Sequence, residues 1–151
     1  MKSVRLLKIT MNILVINGPN LNLLGERESD IYGYETLDEL MYWLSNHDEC
    51  KDVNFEFYQS NHEGKIIDKI HEKRKWFNAI IINPGALTHY SYAIRDCLLA
   101  VGVTSIEVHL SDIAKREAFR KKSVISDVCF RSLNGRGKIS YLDAVKIIKN
   151  R

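Results

Sequence analysis

A tyrosine, an arginine and a histidine in this sequence carry side chains suited to acid–base chemistry. Arg27 and Tyr32 lie close together in a long connection that follows the first predicted strand. A guanidinium beside a phenol favours the phenolate, and a phenolate can act as a general base towards a carbon acid. His109 is a candidate for supplying the proton to a leaving hydroxyl. Glu107 lies two residues before it, so both side chains of an extended segment point to one sheet face and the carboxylate can orient the imidazole.

The elements that must position these residues alternate between strands and helices along the chain. Apolar runs and period-two alternation predict strands at 11–17, 53–59, 79–83, 105–110 and, more weakly, 124–130. Helical spacing predicts helices at 36–46, 66–76, 90–101, 112–122 and 140–150, the first of which begins with a T-x-x-E capping box at Thr36 and Glu39. Five such alternations predict an α/β fold, a flavodoxin-like three-layer sandwich with a five-stranded parallel sheet.

Length and composition favour one globular domain. A chain of 151 residues suits one core, so we expect 11–151 to form a single catalytic α/β domain and 1–10 to be a flexible N-terminal extension. No apolar run approaches the roughly 20 residues of a membrane span, and 1–10 has no signal-peptide pattern. A net charge of +3 is too small to indicate nucleic acid. Three isolated cysteines argue against a disulfide framework and favour a reducing cytoplasm.

Polar residues collect where the predicted strands end. In open α/β sheets, ligands bind at the carboxyl ends of the strands, so this edge is the predicted site. The candidates there are Asn17, Asn20, Asn61, His62, Asn83, His89 and His109. The connection at 18–35 is long for its type, and with Gly25 as a possible hinge it is a candidate lid that closes Arg27 and Tyr32 over a substrate.

Ordinary structural explanations exist for the same residues. On sequence alone, Tyr32 is better explained as a turn aromatic before Gly33, and His109 can be a core histidine bonded to Glu107. The others can be turn residues, helix caps or solvated charges: Asn20, Asn83, Thr88, His89, Asp96, Arg116 and Arg120. Neither a P-loop nor a dinucleotide fingerprint follows the first strand, and the histidines lack the spacing of a zinc motif.

Several motifs together resemble the type II 3-dehydroquinate dehydratases. They occur in the family's order over about residues 11 to 125: N-G-P-N-L-N-L-L-G at 17–25, R-E at 27–28, I-Y-G at 31–33, Q-S-N-H-E-G at 59–64, N-P-G-A-L-T-H at 83–89, I-E-V-H-L-S at 106–111 and R-E-x-F-R at 116–120. The resemblance implies trimers, usually four in a dodecamer, and loss of water from 3-dehydroquinate to give 3-dehydroshikimate in the shikimate pathway. It also implies that no metal or organic cofactor takes part.

The resemblance assigns a role to each matching residue. Tyr32 would remove the proton from C2, promoted by Arg27, and Asn20 would position a water that stabilises the enolate. His109, supported by Glu107, would serve departure of the C1 hydroxyl. The substrate would be held by Asn83, His89, Leu110, Ser111 and Arg120, with Asp96 reaching the site of a neighbouring subunit.

The C-terminal part departs from the family pattern. Gly135, Gly137 and Tyr141 fit, but Arg131 and Ser140 stand where the family has glycines. An unpaired arginine is costly to bury, so the last strand should be shortened, edge-like or at an interface. The competing functional interpretation is a non-catalytic small-ligand binding domain, or a degenerate homologue, on the same scaffold.

Overall fold

Five parallel strands form one sheet in a computed structural model that describes residues 10–26 and 28–151. The predicted extension at 1–10, apart from Thr10, lies outside the described residues, and so does Arg27. The strands are β1 Met11–Asn17, β2 Val53–Gln59, β3 Ala79–Asn83, β4 Thr104–Val108 and β5 Arg131–Leu133. Their order is β2-β1-β3-β4-β5, with every neighbouring pair parallel. This is the flavodoxin-like order, so the predicted fold class is confirmed.

Helices cover both faces of the sheet. They are α1 Ser29–Tyr32, α2 Leu37–Asn46, α3 Glu63–Lys73, α4 Tyr92–Val101 and α5 Ile139–Lys149. Buried residues of α2 and α5 pack on one face, and those of α3 and α4 pack on the other. Short 3-10 turns occur at Leu21–Leu23, Asp48–Cys50, Gly85–His89, Ile113–Lys115, Ala118–Lys121 and Ser126–Val128. Among the described helices, none has both the length and the apolar character needed to cross a membrane.

The central strands are apolar on both sides because both sides are covered. Along β1, Ile13 and Val15 enter the core under α2 and α5, while Leu14 and Ile16 enter the core under α3 and α4. All four side chains are fully buried. This explains why β1 and β3 appear in the sequence as continuous apolar runs rather than as an alternating pattern.

Side-chain caps fix where two helices begin. The Thr36 side chain accepts a hydrogen bond from the Glu39 N–H at 3.2 Å, so the predicted cap of α2 is confirmed. In α4 the capping residue is Ser91, whose hydroxyl accepts from the Ile94 N–H at 3.1 Å. The helix therefore begins at Tyr92, two residues later than predicted.

The predicted helix at 112–122 is wrong. Asp112 caps a short turn by accepting from the Ala114 N–H at 3.0 Å, and the backbone of Arg116 is then extended, with φ −102° and ψ −169°. The segment consequently forms the two 3-10 turns Ile113–Lys115 and Ala118–Lys121. Arg116 and Arg120 are therefore not one solvated stripe of an α-helix.

The predicted strand at 124–130 is also wrong. The Ser123 hydroxyl accepts from the N–H groups of Ile125 and Ser126 at 3.1 and 3.0 Å, which turns the chain into the 3-10 turn Ser126–Val128. Strand β5 begins only at Arg131, is three residues long and forms the sheet edge. The expectation of a shortened, edge-like strand is thus confirmed, and the Arg131 side chain is exposed.

Candidate active site

One cavity of about 110 Å³ opens at the carboxyl ends of β1, β3 and β4. The cavity lies next to β1, where the strand order reverses: β2 lies on one side of β1 and β3 lies on the other. Ligands usually bind at this reversal point in sheets of this topology. Eight residues singled out from the sequence line it: Asn20, Tyr32, Asn83, His89, His109, Leu110, Ser111 and Arg120. Arg116 also lines the cavity, together with backbone and apolar groups from the turns that follow β1 and β3.

The floor of the cavity is built by a close contact between the turns after β1 and β3. The Gly18 N–H donates to the Asn83 carbonyl at 2.8 Å, and a Cβ at Gly18 would lie 2.5 Å from the Pro84 carbonyl oxygen. Only glycine fits there without displacing backbone. Asn20 follows with a left-handed backbone, φ 68°, and its N–H donates to Asn61 Oδ1 at 2.9 Å. Asn61 therefore holds the turn that presents Asn20 to the cavity.

A phenol and a guanidinium meet at the mouth of the cavity. Arg116 Nη1 donates to Tyr32 Oη at 2.6 Å, and the Arg116 Cζ atom lies 5.8 Å from the Tyr32 ring centroid. The Arg116 side chain is only 14% exposed, and its Nη2 lies 3.7 Å from Glu28 Oε2. The phenol oxygen therefore accepts a charge-assisted hydrogen bond, which fixes its position relative to the guanidinium.

A buried carboxylate holds the histidine at the opposite wall. His109 Nε2 lies 2.7 Å from Glu107 Oε1, and the two side chains are 7% and 0% exposed. The Ser123 hydroxyl donates to both carboxylate oxygens at 2.9 and 3.1 Å, the Ser132 hydroxyl donates to Oε2 at 3.1 Å, and the Thr88 hydroxyl donates to Oε1. Glu107 therefore accepts hydrogen bonds from four different residues.

The four donors decide the charge of Glu107. Burial raises the pKa of this carboxyl, but the hydrogen bonds from His109, Thr88 and Ser123 outweigh burial and leave the pKa below its ordinary value. An ionised carboxylate can only accept, so His109 Nε2 carries a proton and donates it to Glu107. The other ring nitrogen, Nδ1, is then the atom that can exchange a proton with a ligand.

His89 and Arg120 are oriented by neighbouring groups. His89 Nδ1 lies 2.6 Å from the Lys122 carbonyl oxygen, which can only accept, so Nδ1 carries a proton and Nε2 remains available to a ligand. The His89 ring meets Phe119 edge-on at 5.9 Å. Arg120 Nε donates to Glu117, and its Cζ lies 4.8 Å from the Phe119 ring centroid. Within the described residues, no three His, Cys, Asp or Glu side chains come close enough to hold a metal ion.

Comparison with known proteins decides the family. The sequence profile described as "Dehydroquinase class II" matches residues 11–149. The chain belongs to the class II dehydroquinase family. It is 50% identical over 139 residues to the 3-dehydroquinate dehydratase of Clostridium botulinum strain 657, covering 92% of this chain and 95% of that one. It is 48% identical over 141 residues to that of Thermotoga petrophila, covering 93% and 96%.

A solved structure of the same family is equally similar. The type II dehydroquinase of Butyrivibrio crossotus superposes with a TM-score of 0.90 at 48% identity, covering 93% of this chain and 98% of that one. The resemblance drawn from the sequence motifs is therefore confirmed. The family match reaches residue 149 and so includes the C-terminal part of the chain, in which Arg131 and Ser140 lie.

The residues to which the family resemblance assigns a role fall into four groups in this dehydroquinase. Eight line the cavity, and Glu107 lies directly behind His109. Asp96 is exposed on α4 and does not line the cavity of its own chain, and Arg27 lies outside the described residues.

The sequence pattern predicts Arg116 on the solvated face of an α-helix, whereas Arg116 lines the cavity. The prediction is wrong because the charged segment at 112–122 has helical spacing but does not form an α-helix. The sequence pattern also allows Thr88 to be a helix cap, whereas its hydroxyl donates a hydrogen bond to the Glu107 carboxylate. The R-E-x-F-R motif was the available signal for Arg116.

Proposed function

We propose that this chain catalyses the dehydration of 3-dehydroquinate to 3-dehydroshikimate, a step of the shikimate pathway, by elimination through an enolate without a cofactor. The observation that carries the proposal is that one cavity brings together the Tyr32–Arg116 pair and the His109–Glu107 pair. Elimination of water next to a carbonyl needs a base at one carbon and an acid at the next. The Tyr32–Arg116 pair offers the base, and the His109–Glu107 pair offers the acid.

Tyr32 is the proposed base. Its phenolate takes the proton from C2, and the electron pair left on C2 delocalises into the adjacent carbonyl as an enolate. Arg116 supports this step because its guanidinium donates to Tyr32 Oη at 2.6 Å and so holds the reacting oxygen in place with a charge-assisted hydrogen bond. Arg27, which lies in the same connection as Tyr32, belongs to the proposal as a second cation that would assist the base. Asn20, at the cavity floor, would hold a water against the enolate oxygen.

His109 is the proposed acid. Nδ1 of the protonated imidazole gives its proton to the C1 hydroxyl, the C1–O bond breaks, and the enolate electrons form the C1–C2 double bond as water leaves. Glu107 favours this role because its buried carboxylate holds Nε2 at 2.7 Å and leaves Nδ1 as the ring nitrogen available to the substrate. Tyr32 has gained one proton and His109 has lost one, so exchange with solvent returns the site to its starting state.

The remaining cavity residues would hold the substrate. Asn83 and His89 offer hydrogen-bonding groups for the ring hydroxyls, and Arg120 offers a cation near the carboxylate. Leu110 and Ser111, which follow β4 directly, would bind the carboxylate through backbone and hydroxyl groups. A small polar cavity lined by such donors suits a hydroxylated carboxylic acid.

The assembly of this chain belongs to the same proposal. We expect trimers, with four trimers in a dodecamer, in a cytoplasmic enzyme. Support comes from α4, where Tyr92, Asp96 and Leu99 follow i, i+4, i+7 spacing and are all exposed, so that they form one stripe with two apolar members. Contact of this stripe with another copy would carry Asp96 to the neighbouring cavity.

Turnover of the substrate tests the function directly. Purified protein mixed with 3-dehydroquinate should give rising ultraviolet absorbance from the conjugated enone product. Tyr32→Phe should nearly abolish the rise while substrate still binds, because the ring remains and the base is lost. Tyr34→Phe is a matched control, since this tyrosine is 81% exposed and lies two residues away.

Two results would contradict the proposal. Wild-type protein that gives no rise even at high enzyme concentration would remove the assigned reaction. Full activity of Tyr32→Phe would leave the reaction in place but would require another base.

A further inference from the structure

A tyrosine that does not line the cavity is joined to a substrate-binding residue through buried hydrogen bonds. Tyr141, on α5, is fully buried beneath the sheet. Its hydroxyl donates to Asn17 Oδ1 at 2.6 Å and accepts from Asn83 Nδ2 at 3.0 Å. Asn17 Nδ2 lies 3.6 Å from the Met41 sulfur, and the Gly85 N–H donates to Asn83 Oδ1 at 3.3 Å. These contacts form one chain from α2 to the turn after β3.

The donor and acceptor roles along this series of hydrogen bonds are fixed at the end where Gly85 binds Asn83. A backbone N–H can only donate, so Gly85 requires the oxygen of the Asn83 amide to face it. Nδ2 of Asn83 must then face Tyr141, and the phenol, which accepts there, must point its own proton at Asn17. Burial raises the pKa of Tyr141, so the phenol keeps the proton that it donates. The orientation of each side-chain amide therefore follows from the groups on either side of it.

Asn83 consequently presents a defined set of groups to the cavity. One N–H is bound by Tyr141, and among the described residues nothing binds the second N–H. Without the phenol oxygen, the amide would lose the shorter of the two hydrogen bonds that oppose its rotation about the last side-chain bond, and only the 3.3 Å contact with the Gly85 N–H would remain. A rotated amide would offer an oxygen where the substrate meets an N–H.

We propose that Tyr141 is a positioning residue for substrate binding, acting through its hydroxyl to hold the amide of Asn83 in the orientation that recognises a substrate hydroxyl. This inference rests on the proposed function, since it assumes that Asn83 contacts the substrate. It adds a residue of α5 that does not line the cavity to the recognition machinery.

The test is steady-state turnover of 3-dehydroquinate by Tyr141→Phe, which removes one oxygen and keeps the ring. We expect KM to rise by about twofold to tenfold, the effect of one hydrogen bond, while kcat stays within about twofold. Placed in an Asn83→Ala background, Tyr141→Phe should produce no further rise in KM, because the group it positions is gone. Ile148→Val on the same helix is the matched control for lost core packing.

The outcomes separate the possibilities. The inference would be overturned if Tyr141→Phe lowered the melting temperature and left KM unchanged. It would also be overturned if Tyr141→Phe raised KM equally with and without the Asn83 amide. Either result would leave Tyr141 a purely structural residue. If Tyr141→Phe does not fold, Asn17→Ala decides, because it frees the phenol proton to compete for Asn83 and should also raise KM. An unchanged KM in that variant would overturn the inference as well. Wild-type protein without turnover would instead contradict the proposed function.

Discussion

Replacing Glu107 with glutamine tests whether a buried charge stabilises this fold. The carboxylate accepts from His109, Thr88, Ser123 and Ser132. Hydrogen bonds to a charged group contribute about 1.5–3 kcal/mol and neutral ones about 0.5–1.5 kcal/mol, so each bond that the amide oxygen keeps weakens by roughly 1 kcal/mol, and a donor that faces the amide NH2 loses its acceptor. The glutamine side chain is neutral, so the variant avoids the cost of burying a charge, and this offsets part of that loss. We expect Glu107→Gln to lower the free energy of unfolding by about 2 kcal/mol at neutral pH.

The pH dependence gives the sharper signature. The pKa of Glu107 in the folded protein lies below its ordinary value of 4.5, so its ionisation favours the folded state. That contribution is fully present above pH 4.5 and is lost as the pH falls through the folded-state pKa. The stability difference between wild type and Glu107→Gln should therefore narrow as the pH falls below 4.5.

Urea unfolding followed by circular dichroism, at one fixed protein concentration, measures this difference at each pH. Glu72→Gln, at an exposed position of α3, is the control and should change stability little at any pH. A difference that stays constant from neutral pH to about pH 3 would refute the assignment of the stabilisation to an ionised carboxylate.

Two further variants examine the site. Arg116→Met should lower kcat by about tenfold or more, because a charged hydrogen bond to the Tyr32 oxygen is lost; Lys115→Met, whose side chain is 84% exposed, should not, and equal activity of both would show that the guanidinium does not assist the base. Asp96→Ala should raise KM without changing the mass measured by light scattering, and an unchanged KM would count against a cross-subunit role.

The parts of the fold that sequence predicted are those where one physical signal dominates. Strands β1, β2 and β3 match their predicted bounds because β1 and β3 are mostly buried apolar runs and β2 alternates apolar and polar residues as a half-exposed strand does. The start of α2 matches because the Thr36 hydroxyl is satisfied within the same turn. Local rules suffice where the partners of a residue lie a few positions away.

The failures occur where distant partners decide the local conformation. Residues at 112–122 have the charges and spacing of a helix, yet Arg116 turns towards Tyr32, which is 84 positions earlier in the chain. Ser123 bends the chain out of a strand while it bonds Glu107, 16 positions away. The sequence still places the candidate residues at the edge of the sheet where the cavity lies, because that edge follows from the topology rather than from any one turn.

Arg131 and Ser140, which the sequence resemblance predicts to differ from the family pattern, each lie next to a residue that supports the site. Arg131 is exposed at the sheet edge, while the next residue, Ser132, donates to Glu107. Ser140 is buried with no partner for its hydroxyl in the described part of the chain, while the next residue, Tyr141, holds Asn83. The C-terminal part therefore supports the cavity at two places, at His109 through the contact of Ser132 with Glu107 and at Asn83 through Tyr141.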